Sequence, residues 1–290
     1  HRCVVGVLYN DATLSSFAIF LPPMLYNTLP NKQCSHNSKP TRSEALEYYR
    51  RVASHWNLKL NLYEEINTID VKAGGYEIRS SKRTYSSPNL IIATGFYDRP
   101  FLLGVPGETL SKVKHYYTEP HPYFGMNLVV VGAANSAVDV ALETYRKGAK
   151  SVTMIIRENE IGENVKYWAR PDIVNRIKEG TIKAYFQAEI DKITPNEVHF
   201  KDADGKHVIE NDFVLAMTGY EPNFEMLEQL GVNFHQDEFK TPIYDPQSME
   251  SNVKGVYLAG VVCGGYKTNK WFIENSRVHA VKILDSISKK

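Results

Sequence analysis

The chain is short of cysteine, of charge imbalance and of long apolar runs, and each shortage removes a class of protein. Only three cysteines occur in 290 residues, Cys3, Cys34 and Cys263. Widely spaced, they form no C-x-x-C pair and no zinc pattern, and no metal is expected. Free thiols of this kind fit a reducing cytoplasm. Lys and Arg total 34 against 33 Asp and Glu, and no basic run stands out, which argues against nucleic acid as a partner. The apolar stretch from Leu14 to Leu21 ends at Pro22-Pro23 and is too short to span a membrane. It also lacks the charged start and cleavage site of a signal peptide. The expectation is a cytoplasmic protein with no membrane partner, long enough for one large domain or two ordinary ones.

What the chain does contain is a complete strand, turn, helix and strand in its middle. Leu128-Val-Val-Val131 is a short continuous apolar run, as in a strand buried on both faces. Gly132-Ala-Ala-Asn-Ser-Ala137 then reads as a tight turn into a helix running to about Lys147, closed by Gly148-Ala149. Val152 to Ile156 is the next buried strand. This order is what a pyrophosphate seated on a helix N-terminus requires, because backbone N–H groups and the helix dipole both face the anion there. The glycine fingerprint is incomplete: Gly132 is present, whereas the second and third positions are Ala134 and Ala137. Where an acidic residue would hold a ribose 2′-hydroxyl stands Arg157, which suits the 2′-phosphate of NADPH. Glu158 comes next and would serve a 2′-hydroxyl if the register moved by one.

Around this unit the chain repeats itself. Ser43 to Trp56 has helical periodicity, with Thr41 or Ser43 as its cap, and Leu58 to Glu64 reads as a strand. Gly75–Ser80 and Lys82–Tyr85 form a hairpin ahead of Asn89-Leu-Ile-Ile-Ala-Thr-Gly95. Glu197–Phe200 and His207–Glu210, joined through Asp204-Gly205, form a second hairpin ahead of Asp212 to Gly219. An apolar strand ending in Thr-Gly behind a hairpin, twice, points to two related nucleotide-binding folds. Gly255 to Gly260 is another strand ending on glycine, before a helix from Trp271 to Ser286. Crossovers are expected at the proline-bearing stretches Thr118–His121 and Thr241–Pro246. The reading is α/β: two Rossmann-like three-layer domains, residues 119–244 inserted between outer segments 1–118 and 245–290.

Ala93-Thr-Gly95, the central fingerprint, Thr218-Gly-Tyr220 and Val256-Tyr-Leu-Ala-Gly260 succeed one another in an order that resembles the flavoproteins with two dinucleotide domains, the class of thioredoxin reductases and flavin monooxygenases. Within it the chain is similar to the bacillithiol-disulfide reductase family. The likeness is carried by Ser38-Lys-Pro-Thr-Arg42, Ala93-Thr-Gly-Phe-Tyr97, Lys112-Val-Lys-His-Tyr116, Asn135-Ser-Ala-Val-Asp139, Lys166-Tyr-Trp168, Ala259-Gly-Val261 and Phe272-Ile-Glu-Asn275. The resemblance implies a flavoenzyme taking hydride from NADPH and passing electrons through FAD to a small-molecule disulfide. It places Gly132, Ala134, Asn135, Ser136 and Arg157 on NADPH, and Thr94, Gly95, Gly260, Val261 and Glu274 around FAD. The lack of C-x-x-C argues against a thioredoxin-type thiol relay, which needs two adjacent thiols. Cys263 and His115 are the candidate reacting groups. For Cys263 the simpler reading is a small buried residue beside Gly264-Gly265, and for His115 a polar linker contact.

The likeness fails at the start. The family opens with a strand, a glycine turn and a helix for the FAD pyrophosphate; here Val4 to Asn10 already matches the part of the family located after that unit. Asp11 to Cys34 matches poorly. The FAD domain is therefore expected to be incomplete, and no cysteine role transfers from it. Two alternatives stand beside the reductase: a flavin monooxygenase, and a nucleotide-binding protein without flavin activity. The Phe-x-Gly-x-x-x-His signature expected of the former is not met by Leu110-Ser-Lys-Val-Lys114 before His115. A homo-oligomer is compatible with all three.

Overall fold

The computed structural model describes residues 3–6 and 42–290. Segment 11–34 with Cys34, the cap at Thr41 and the side chain of Cys3 lie outside the described residues. By compactness the chain forms a central unit, Pro100–Gly219, and an outer unit made of 42–99 and Tyr220–Lys290 with the strand Cys3–Gly6. Thr118–His121 thus falls inside the central unit and Thr241–Pro246 inside the outer one. The reason for the first is a strand ahead of it, Val113–Lys114, which pairs within the central sheet.

The outer unit begins with β1 (Cys3–Gly6) and α1 (Arg42–His55). Three antiparallel strands come next, β2 (Ile66–Lys72), β3 (Gly75–Ser80) and β4 (Thr84–Ser87), so the expected hairpin has a third strand. The expected strand Leu58–Glu64 does not form. Leu58, Leu60 and Leu62 alternate as a strand's apolar face would, yet all three are exposed and Tyr63 takes φ 54. Alternation specifies a face; a ladder partner makes a strand, and none lies beside this stretch among the described residues. Beyond β4 lie β5 (Asn89–Ile92) and the two-residue β6 (Arg99–Pro100).

In the central unit β7 (Val113–Lys114), β8 (Asn127–Val131), α2 (Asn135–Arg146), β9 (Ser151–Ile155), α3 (Arg170–Lys178) and β10 (Lys183–Tyr185) precede a meander of β11 (Glu189–Ile193), β12 (Glu197–Asp202) and β13 (Gly205–Glu210), then β14 (Phe213–Ala216). The five parallel strands lie in the order β10-β9-β8-β14-β7. Both faces of this sheet are covered, which is why β8 and β14 read as near-continuous apolar runs and β9 is broken only at Thr153. One face carries the helices, with Leu128, Val130, Ala137, Val138, Ala141 and Met154 in a shared core. The other packs Val129, Ile155 and Val214 against Val198 and Phe200 of the meander. His207 stacks on Phe200 at 5.0 Å and pairs with Asp202 at 2.8 Å.

The outer unit resumes with β15 (Tyr220–Glu221), α4 (Glu225–Gln229), β16 (Val256–Leu258) and α5 (Ile273–Ser288). Its parallel strands run β1-β5-β16. Leu90, Ile92, Tyr257 and Leu258 form one core with Ile78 of β3 and Ile283 and Ile287 of α5. Helix, parallel sheet and antiparallel sheet therefore occur in both units, the three-layer arrangement expected from the repeated hairpins. No helix among the described residues is long and apolar enough to cross a membrane.

Candidate functional site

In a parallel sheet every strand ends on the same edge, and ligands bind beyond those carboxyl ends. Val131 is level with Ile155 of β9 and Ala216 of β14. Gly132, Arg157 and Thr218 consequently leave the central sheet at one edge. Leu215 is level with Lys114 of β7, so His115 emerges there as well. Its ring is half-buried beside Glu108, 3.3 Å from Nε2 to the carboxylate. Glu108 also accepts the backbone N–H groups of Leu103 and Gly104.

Two constraints make Gly132 the turn residue. Its φ is +117°, and a Cβ would lie 2.8 Å from the carbonyl oxygen of Met217. Helix α2 then starts at Ala134, extended at φ −87°, ψ −177°, with no side chain capping the first turn. Uncapped N–H groups at the end of a buried strand are the donors that a pyrophosphate takes up. Ala137 is fully buried, so its methyl allows the close helix–strand approach usually given to glycine. Helix α2 closes at Gly148, φ +88°, where Ala149 N–H reaches Thr144 O at 3.0 Å. Beyond β9, Arg157 is 82% exposed, with Glu158 its ion-pair neighbour at 3.7 Å.

Sequence reasoning missed how the side chains around the first turn of α2 are used. Asn135 Oδ1 accepts the Lys166 backbone N–H at 2.8 Å, and its Nδ2 donates to Asn164 O at 3.4 Å. Asp139 pairs with Lys166 Nζ. The signal was present as two polar residues four apart on one helical face.

The outer sheet repeats the edge. Leu258 is level with Ile92, which brings Ala93-Thr-Gly95 and Ala259-Gly-Val261 out together. Gly95 has φ +80° and Gly260 φ +76°. Gly260–Gly264 forms a 3₁₀ turn that no side chain caps. The N–H of Gly260 donates instead to Nδ1 of His279, at 3.1 Å. That bond makes Nδ1 the acceptor and leaves the proton on Nε2, which is buried without a partner. Burial lowers the pKa of His279 below its ordinary value, and Lys282 adds to this. Cys263 is fully buried, 4.0 Å from His279 Nδ1, and burial pushes its thiol up to about 12. Glu274 lies in the first turn of α5, whose start is closed by Asn275 accepting the Phe272 N–H at 2.7 Å. No group of metal-binding side chains occurs among the described residues.

The profile of the pyridine nucleotide-disulphide oxidoreductases matches residues 12–260. The chain belongs to that family. Among pyridine nucleotide-disulphide oxidoreductases, it is 43% identical to the bacilliredoxin reductase Bdr of Bacillus subtilis over 258 residues, 88% of this chain and 79% of the relative. The bacillithiol disulfide reductases Bdr (YpdA) of Staphylococcus aureus and Bacillus cereus are 33% identical, with TM-scores of 0.89 and 0.90. Each alignment covers 99% of this chain and 91% of the other. Thioredoxin reductase of T. acidophilum shares the fold, at a TM-score of 0.69 and 21% identity over 93% of this chain and 89% of that one. The protein is an oxidoreductase, and FAD and NADPH are the cofactors of its family.

Proposed function

We propose that this chain uses NADPH and FAD to reduce a low-molecular-weight disulfide of the bacillithiol type. The observation that carries the reading is the pair of glycine turns at parallel-sheet edges, one in each unit, in a chain 43% identical to bacilliredoxin reductase. NADPH fits the central edge, where the Gly132 turn has no room for a Cβ beside Met217 and the first turn of α2 is uncapped. The backbone N–H groups from Ala134 to Ser136 hold the pyrophosphate, and the Arg157 guanidinium takes the 2′-phosphate as charge-assisted hydrogen bonds. The outer edge would supply Thr94, Gly95, Gly260, Val261 and Glu274 to FAD, with the left-handed turns at Gly95 and Gly260 leaving room beside it; the glycine turn that holds the FAD pyrophosphate in the family is not among the described residues. His279 sets the Gly260 turn from behind. When bound, the nicotinamide supplies hydride and the flavin accepts it, so the chain's own task is binding, alignment and exclusion of water.

Among the described residues, no protein thiol is built for exchange. Cys263 is held protonated by burial, and exchange needs the thiolate; its role is to fill space beside Gly264. His115, buttressed by Glu108, is the group at the central edge able to carry a proton.

The test is spectroscopic. The purified chain is expected to be yellow, to bleach on anaerobic addition of NADPH, and to recover its colour on addition of bacillithiol disulfide. Recovery only with oxygen and an organic substrate would instead identify a monooxygenase. Colourless protein that takes up NADPH but no FAD would reduce the function to nucleotide binding.

A further inference from the structure

Both ends of the Asn135 carboxamide are engaged by the chain itself. The Lys166 N–H and the Asn164 carbonyl take its Oδ1 and Nδ2, and Asp139, one turn further along α2, holds the Lys166 ammonium. Three polar contacts thus fasten residues 164–166 to the first two turns of the helix that receives the pyrophosphate. The segment is seated from below by Val165 and Ala169, both buried in the central core. Next to it, Tyr167 is 83% exposed and Trp168 38% exposed, their rings edge to face at 4.9 Å.

A fold gains little from holding the Tyr167 ring in water at the edge of a half-buried Trp168, since burial of such rings is what stabilises. A ligand arriving there does gain. The segment continues the chain from Arg157 at the carboxyl end of β9, the strand end at which a dinucleotide's adenosine ribose sits. Its first-turn anchor lies on the pyrophosphate side of the same helix.

We propose that Asn135 and Asp139 are positioning residues that hold residues 164–168 beside the bound dinucleotide, and that Tyr167 and Trp168 supply the aromatic face for its adenine. This rests on the central edge being the NADPH site. Asn135 then serves the nucleotide through its backbone N–H, and its side chain acts on the aromatic segment.

The experiment measures dissociation constants of NADPH, NADH, 2′,5′-ADP and reduced nicotinamide mononucleotide on the full chain, with chymotryptic cleavage at Tyr167 and Trp168 as a second readout. Tyr167→Ala should weaken the three adenine ligands about tenfold, the scale of base–aromatic stacking, and leave the mononucleotide unchanged. Tyr167→Phe, which keeps the ring, should bind as wild type does. Asn135→Ala should weaken adenine ligands similarly and be cleaved several-fold faster. Asn135→Asp, which keeps the acceptor for the Lys166 N–H but loses the donor to the Asn164 carbonyl, should be cleaved at a rate between those of wild type and Asn135→Ala. The proposal falls if Tyr167→Ala binds 2′,5′-ADP with wild-type affinity, or if Asn135→Ala is cleaved at the wild-type rate. Wild-type protein that binds the mononucleotide but no adenine ligand would sink it together with the NADPH assignment. Loss confined to the variants' cleavage pattern would sink the adenine face alone.

Discussion

In the central unit Gly132 turns the chain at φ +117°, and a Cβ there would sit 2.8 Å from a carbonyl oxygen; in the outer unit Gly260 turns it at φ +76°, and nothing lies within 4 Å of where a Cβ would be. The central turn is therefore specified twice, by backbone conformation and by packing against Met217. The outer turn is specified by conformation and by one hydrogen bond to a buried imidazole. Two copies of one strand-to-glycine device are made rigid by different means: steric closure in one, a polar group behind the turn in the other. The same substitution should accordingly do very different damage in the two places.

Gly132→Ala is the sharpest way to break the comparison. It adds a steric clash to the strain of a left-handed φ, each of order 1–3 kcal/mol, so NADPH binding should fall by more than a hundredfold and the Tm by several degrees. Gly260→Ala meets only the conformational cost, about 1–2 kcal/mol, and should keep its fold with a Tm loss of a few degrees. Equal losses in parallel titrations and melts would contradict the packing argument. Second in size is Arg157→Ala. One charge-assisted contact is worth roughly 1.5–3 kcal/mol, so KM for NADPH should rise about 10–100-fold while KM for NADH stays near its starting value. Equal rises for both would refute the 2′-phosphate assignment.

The third concerns the outer turn. His279 is neutral in the fold, with its pKa lowered, so the unfolded state binds a proton more readily. Its contribution is complete above about pH 6.5 and is lost as the pH falls below that. Melting temperature should drop on that acid side more steeply in wild type than in His279→Asn, which cannot take up the proton. Identical slopes would show that the buried imidazole does not govern this limb. The smallest effect belongs to Cys263. With its thiol near 12, about one part in ten thousand is thiolate at pH 8. Mass spectrometry should find Cys263 unalkylated in the folded chain, and Cys263→Ala should retain disulfide reduction within about twofold.

The sequence made the central unit legible almost residue by residue, since strand, turn, helix and strand depend on contacts close along the chain. Gly132, Gly148 and the apolar runs at Leu128 and Val152 each announce a local requirement. The hairpins were legible for the same reason, though their third strands, β2 and β11, were not: both are polar, half-exposed edges with weak alternation. Leu58–Glu64 shows the converse, a clear alternation without a ladder. Of the candidate site, the strand-edge position of the glycines and of Arg157 could be read directly. His279 could not, because its role depends on α5 returning to the end of β16, and nothing in Arg277-Val-His-Ala280 announces that contact. The fastening of Asn135 to Lys166 was hidden likewise, as one partner is a backbone N–H.

The imidazole behind Gly260 also offers a spectroscopic handle. A ring whose Nδ1 is occupied and whose Nε2 proton is shut away from water should give a slowly exchanging imidazole signal, well downfield in a proton NMR spectrum. That resonance would serve as a built-in gauge of the outer turn, readable without any cofactor. Its loss on warming or acidification would report the opening of that one corner before the rest of the molecule lets go.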